Sequence, residues 1–150
     1  MNIYIAGPFS HDNERQALRE MIDIVKNRFG FEDIYIPMEY KVPGDYQKLD
    51  STWNLENHVW AKEVFKNDLK HLNEATIVIA LYTGHYCSSG SIWEIGYACG
   101  RGIPVIAYIP DWAKEKDMSL MVMNGFKSQL HKDGTITPFT VDDLKKYNQK

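Results

Sequence analysis

Short apolar runs rich in β-branched residues alternate along the chain with longer segments whose apolar residues recur at helical spacing. Ile3 to Ala6 reads as a short strand that Gly7-Pro8 ends. Ser10 or Asp12 can cap the helix that follows, with Glu14 in its first turn, an apolar face of Leu18, Met21, Ile22, Val25 and Phe29, and Gly30 as its stop. Asp33 to Pro37 (DIYIP) is a second predicted strand. Met38 to Thr52, with Pro43, Gly44 and Asp45, reads as a long loop over one end of the sheet, of a length often used as a lid. A helix from about Asn54 to Leu72 presents Leu55, Val59, Trp60, Val64, Leu69 and Leu72.

The stretch from Ala75 to Ala98 combines three signals. ATIVIALY is a continuous apolar run that fits a strand buried on both faces, TGHYCSSGS is a turn, and IWEIGYA is apolar at helical spacing from a start near Ser89 or Gly90. Beyond it, Ile103 to Ile109 is another buried strand and Pro110 ends it. Asp111 to Asp117 is charged and expected to be exposed, Met118 to Met123 forms a short helix closed by Asn124-Gly125, Ser128 to His131 a strand, and Val141 to Tyr147 a last helix. This alternation predicts a parallel sheet with helices on both faces. The expected fold is α/β: one domain over residues 1–150, a flavodoxin-like three-layer sandwich with a five-stranded parallel sheet. Ligands of such sheets bind outside the carboxyl ends of the strands at the switch point, which here means the loops Gly7 to Ser10 and His85 to Gly90 and the start of the following helix.

Composition narrows the partner. With 150 residues, 44% of them apolar, the chain is long enough for one proper core. A net charge of −3 argues against a nucleic-acid backbone, while a small anion needing only local donors stays open. Cys87 and Cys99 have no CxxC spacing and no histidine pattern, so they suggest packing rather than zinc or redox chemistry. MNIYIAG is not a signal peptide, and Ala75 to Tyr82 is far too short to span a membrane, so a cytoplasmic location is expected.

Glu94 stands out as the only formal charge between Glu74 and Arg101. Among Ile92, Trp93, Ile95 and Tyr97 it must lose hydration, a cost that free N–H groups and the dipole of a helix start can offset. A carboxylate desolvated yet kept ionised is what a nucleophile needs; the alternative is the polar edge of an amphipathic helix. Asp68, near the end of the preceding helix, is either an ordinary surface residue or the second of a carboxylate pair with divided roles, one attacking an anomeric carbon and one protonating the leaving group. Tyr4 is a candidate to orient Glu94, or a plain strand aromatic. Ser88-Ser89-Gly90-Ser91 is either an anion cradle or a simple N-cap. Neither GxGxxG nor a P-loop motif is present.

The segments IYIAGPF, VWAKEVFKNDL, SSGSIWEIGYA, GIPVIAYI and MSLMVMNG, in this order over roughly residues 3 to 125, resemble the nucleoside 2-deoxyribosyltransferase family. The resemblance implies a retaining double displacement without metal or organic cofactor. Glu94 would be the nucleophile on C1′ of the deoxyribose, Asp68 would handle the proton of the base, and Tyr4 would hold Glu94. Gly7, Pro8, Phe9, Ser88 and Gly90 would line the substrate site. It also implies a homo-oligomer, a dimer or higher, in which Ser119 and Met121 complete a neighbour's site.

Two positions depart from the transferase pattern. Ser88 stands where transferases of free nucleosides carry Asp, and Ser119 where they carry Asn. Serine at both resembles the related 2′-deoxynucleoside 5′-monophosphate N-glycosidases, since a carboxylate would repel a 5′-phosphate that hydroxyls and helix N–H groups would accept. The GPF form after the first strand is instead the transferase one, and Met38 to Lys41 leaves base preference open. The leading expectation is therefore transfer of deoxyribose between bases, using a nucleoside or nucleotide and a free base. Hydrolysis of deoxynucleoside monophosphates is the near alternative, and a non-catalytic nucleotide-binding module or a flavin-binding relative the more distant ones.

Overall fold

A computed structural model describes residues 1–43, 55–114 and 117–147. Its strands are β1 (Ile3–Ala6), β2 (Ile34–Tyr35), β3 (Ile77–Leu81), β4 (Val105–Tyr108), β5 (Phe126–Leu130) and β6 (Ile136–Pro138), and its helices are α1 (Asp12–Phe29), α2 (Leu55–Glu74), α3 (Ser89–Gly100), α4 (Leu120–Met123) and α5 (Val141–Tyr147). All six strands form one sheet in the order β2-β1-β3-β4-β5-β6. The first five in that order run parallel, and β6 pairs antiparallel with β5. The expected five-stranded parallel sheet is therefore present, extended by one antiparallel edge strand. β6 escaped the pattern because its three residues carry no buried apolar alternation, and its terminal Pro138 is tolerated only at an edge.

Period-2 alternation divides the β-branched runs between two cores. Tyr4, Ala6, Val78, Ala80, Val105 and Ala107 face one side, where Ile95 and Ala98 of α3, Leu72 of α2, Met123 of α4 and Tyr147 of α5 cover them. Ile3, Ile5, Ile79, Leu81, Ile106 and Tyr108 face the other, against Ala17, Leu18, Met21, Ile22 and Val25 of α1. Burial of both faces is why these strands read as unbroken apolar runs.

Several boundaries moved. The N-cap of α1 is His11, between the two residues proposed for it. Glu14 reaches back, and its carboxylate accepts from the N–H groups of Ser10 (2.9 Å) and His11 (3.0 Å). These bonds explain how a carboxylate only 5% exposed is tolerated, and they pin the loop after β1. β2 is two residues long because Asp33 sits at φ 61° and Pro37 opens a 3-10 turn over Pro37–Glu39. The predicted start of α2 at Asn54 and most of the proposed lid fall at 44–54, outside the described residues. Among the described side chains of the expected apolar face of α2, only Leu72 is fully buried, whereas Val59 and Trp60 are more than a third exposed. The reason is placement: the C-terminal turns of α2 rest on the sheet, and Trp60 and Val64 line a cleft.

Gly7 follows β1 at the closest approach of the two layers. A Cβ there would lie 2.9 Å from Leu18 Cδ1 and 2.9 Å from Leu81 Cβ. Leu18 can rotate away, but Leu81 Cβ is fixed to its strand. Gly7→Ala is expected to cost about 1–3 kcal/mol of stability through overpacking, measured by denaturant unfolding.

Candidate active site

With the order β2-β1-β3, the chain leaves β1 for one side of the sheet and β3 for the other, so their loops part and open a crevice. A cleft of about 360 Å³ lies there. Its walls are the loop after β1 (Gly7, Pro8, Phe9, Ser10), the segment after β2 (Pro37, Met38, Tyr40), the cleft face of α2 (Trp60, Val64, Asp68) and the start of α3 (Ser88, Gly90, Ser91, Glu94).

Glu94 and Asp68, proposed from separate helices on opposite sides of β3 in sequence, thus share one cavity. Burial pushes the Glu94 carboxyl up to about 8, the nearby Asp68 charge adds to the effect, and the Tyr4 hydroxyl opposes it. Loss of hydration is the largest influence on Glu94, and it works against the ionised form that the helix start was expected to keep. Asp68 is also raised, chiefly by burial, against the hydrogen bond from Tyr35 and the influence of His71.

Tyr4 lies on β1 between β2 and β3, paired in register with Tyr35 and Val78. Its ring is fully buried and its hydroxyl satisfies the geometry of no hydrogen bond. It is nevertheless near enough to Glu94 for each group to shift the other, and burial followed by the Glu94 charge raises the phenol far above its usual range.

Ser88 is the N-cap of α3: its Oγ accepts from Ser91 N–H at 3.3 Å and lies 2.8 Å from Ser91 Oγ. The capping reading of Ser88 holds, and the same residue lines the cleft. Ser119 caps α4, its Oγ accepting from Val122 N–H, while its own N–H donates to Tyr82 Oη at 2.9 Å. Neither Ser119 nor Met121 borders this cleft, and Met121 is 87% exposed. Cys87 and Cys99 are free and partly buried, and burial raises both thiols, as packing residues require. No group of three or more metal-ligating side chains occurs among the described residues.

Sequence pattern missed Tyr35, Asn67 and His71. Tyr35 Oη donates to Asp68 Oδ1 at 2.6 Å and accepts from Asn67 Nδ2 at 2.6 Å, and its ring stacks on His71 at 3.8 Å. Tyr35 looked like one more strand aromatic. The one available signal was its place at the carboxyl end of the strand beside β1.

A parallel sheet flanked by helices, with two desolvated carboxylates in one crevice at its carboxyl end beside the N–H groups of a helix start, has the build of an α/β enzyme. The chain belongs to the nucleoside 2-deoxyribosyltransferase family, whose model matches residues 3–136. It is 26% identical over 121 residues to the nucleoside deoxyribosyltransferase of Lactobacillus leichmannii, covering 79% of this chain and 76% of that one. It is 29% identical over 108 residues to a Thermofilum pendens protein provisionally named 2′-deoxynucleoside 5′-phosphate N-hydrolase 1, covering 71% and 66%. A solved structure of a 2-deoxyribosyltransferase from Bacillus psychrosaccharolyticus shares the fold, with a TM-score of 0.71 at 21% identity over 93% of this chain and all of that one. A conserved protein of Enterococcus faecalis also shares it, with a TM-score of 0.57 at 21% identity over 83% and 72%. No described helix is long and apolar enough to cross a membrane.

Proposed function

We propose that this enzyme cleaves the N-glycosidic bond of 2′-deoxynucleosides or their 5′-monophosphates by double displacement and passes the sugar to a second base. The observation that carries the reading is the presence of Glu94 and Asp68 in one cleft, with Tyr4 next to Glu94. Glu94 attacks C1′, the bond from C1′ to the base nitrogen breaks with its electron pair going to nitrogen, and Asp68 gives that nitrogen its proton. The incoming base then loses a proton to Asp68 as its nitrogen displaces Glu94. Approach of a cationic, oxocarbenium-like sugar and donation from Tyr4 both favour the carboxylate form of Glu94, so the one proton the pair holds sits on Asp68, which gives it to the base.

Hydrolysis of deoxynucleoside 5′-monophosphates is the second reading, and Ser88 favours it. A neutral hydroxyl with Gly90 and Ser91 at the first turn of the 12-residue α3 suits a phosphate, whereas a carboxylate there would repel one. The complete site is proposed to form in a homo-oligomer, with a neighbour supplying Ser119 and Met121. Exposure of Met121, and the fact that neither residue lines the cleft of its own chain, support this.

Incubating paired deoxynucleosides and 5′-monophosphates, each with and without a second free base, tests both readings. Exchanged nucleoside is expected only with the second base, whereas deoxyribose 5-phosphate formed without it would favour hydrolysis. Release of no base from any substrate, with Glu94→Ala binding them as wild type does, would leave a non-catalytic binding module. A colourless purified protein would count against a flavin site.

A further inference from the structure

Among the described residues, Asp68 is held by one residue from another element, Tyr35. A phenol has one proton to give, and Tyr35 Oη lies between the Asn67 amide, which donates to it at 2.6 Å, and Asp68 Oδ1, which accepts from it at 2.6 Å. The Asn67 N–H cannot accept, and Asp68 Oδ1 cannot donate while the carboxyl is ionised or carries its proton on Oδ2, so the relay runs from Asn67 through Tyr35 to Asp68. The ring cannot swing away, because it stacks on His71 at 3.8 Å and 9° and tilts against Tyr4 at 5.4 Å. His71 is fixed in turn by Nδ1 at 2.9 Å from the carbonyl of Asn67, one turn back on α2.

We propose that Tyr35 is the positioning residue of the acid: by occupying Oδ1 of Asp68, it reserves the other carboxylate oxygen, Oδ2, for the proton of the departing base. The inference rests on the glycosidic reading above and adds to it a residue that does not line the cleft. When the base leaves, the proton passes from Oδ2 to its nitrogen and Asp68 becomes a carboxylate. The bond from Tyr35 is then charge-assisted and strengthens as negative charge develops. On capture of the second base the proton returns to Oδ2 and the bond weakens again. Tyr35 and Asn67 lose no atoms in either half of the cycle.

The test is Tyr35→Phe, assayed for base release across pH on whichever substrate the wild type turns over fastest. Asp68 is faced by Tyr35 from β2, Tyr4 from β1, Glu94 from α3 and His71 from its own helix, and only the first is altered. We expect kcat to fall about 10- to 100-fold, the equivalent of one hydrogen bond to a charged group, with KM changed much less. Without that donor Asp68 keeps its proton to higher pH, so the alkaline limb of the profile moves upward. Asn67→Ala, a helix-compatible change, is expected to move the same limb the same way by less, and it stands in if Tyr35→Phe does not fold. Unchanged kcat, or an equal fall at every pH with the limb in place, would overturn the proposal. A wild type that releases no base sinks the glycosidic reading itself, which separates the two failures.

Discussion

Glu94→Gln is expected to abolish base release, by about 10⁴-fold or more as for a missing nucleophile, while making the protein more stable at alkaline pH. The two effects have one cause. Burial and the charge of Asp68 raise the Glu94 carboxyl from its ordinary 4.5 to about 8. The folded state therefore binds more protons than the unfolded chain between these values, and the Glu94 contribution to stability declines as pH rises from about 4.5 to about 8. A neutral isostere avoids that decline. The variant should melt close to wild type near pH 5 and above it near pH 9, with a gain on the order of 1–4 kcal/mol. Thermal melts at the two pH values measure the gain. Mass spectrometry of acid-quenched turnover should find a deoxyribosyl adduct on the wild-type protein and none on the variant. A variant that releases base at the wild-type rate would remove Glu94 from the chemistry.

Asp68→Asn carries the second largest expected loss, about 10²–10⁴-fold in base release, the range for a missing general acid. The amide oxygen can still accept from Tyr35, so the side chain should keep its place while having no acidic proton to give. Loss of kcat with substrate binding retained, read by titration calorimetry against kcat, is the expected signature. Because burial raises Asp68 as well, its ionisation also costs stability as pH rises, and Asn should remove that cost. Wild type should show a bell-shaped dependence of kcat/KM on pH whose two apparent values belong to the coupled pair rather than to either residue. Both carboxyls protonated leaves no nucleophile, and both ionised leaves no acid.

Sequence pattern reached the parallel core because burial on both faces forces unbroken apolar runs such as IYIA and IVIAL, which need no tertiary information to recognise. It reached Glu94 because a lone carboxylate in an apolar helix is an anomaly wherever it occurs. It reached Asp68 only as one of two readings, and the resemblance tipped the balance, since an aspartate near the end of an amphipathic helix looks like any surface acid. α2 shows the limit from the other side. Trp60 and Val64 satisfy helical periodicity, yet they line a cleft that periodicity cannot distinguish from a core. Tyr35 and Asn67 lay beyond reach because their roles exist only relative to Asp68, 33 residues from Tyr35 along the chain.

From the order of its residues alone, this protein was bound to be an alternating α/β chain with an isolated acid after its middle strand, because local periodicity and hydration cost are properties of neighbours in sequence. Only the folded sheet decided that this acid meets a second one, that Tyr4 lies beside the first and Tyr35 holds the second, and that burial raises the Glu94 carboxyl. Those outcomes depend on how much water each carboxylate loses and which charges approach it, and both are set by strand order and helix placement rather than by residue identity.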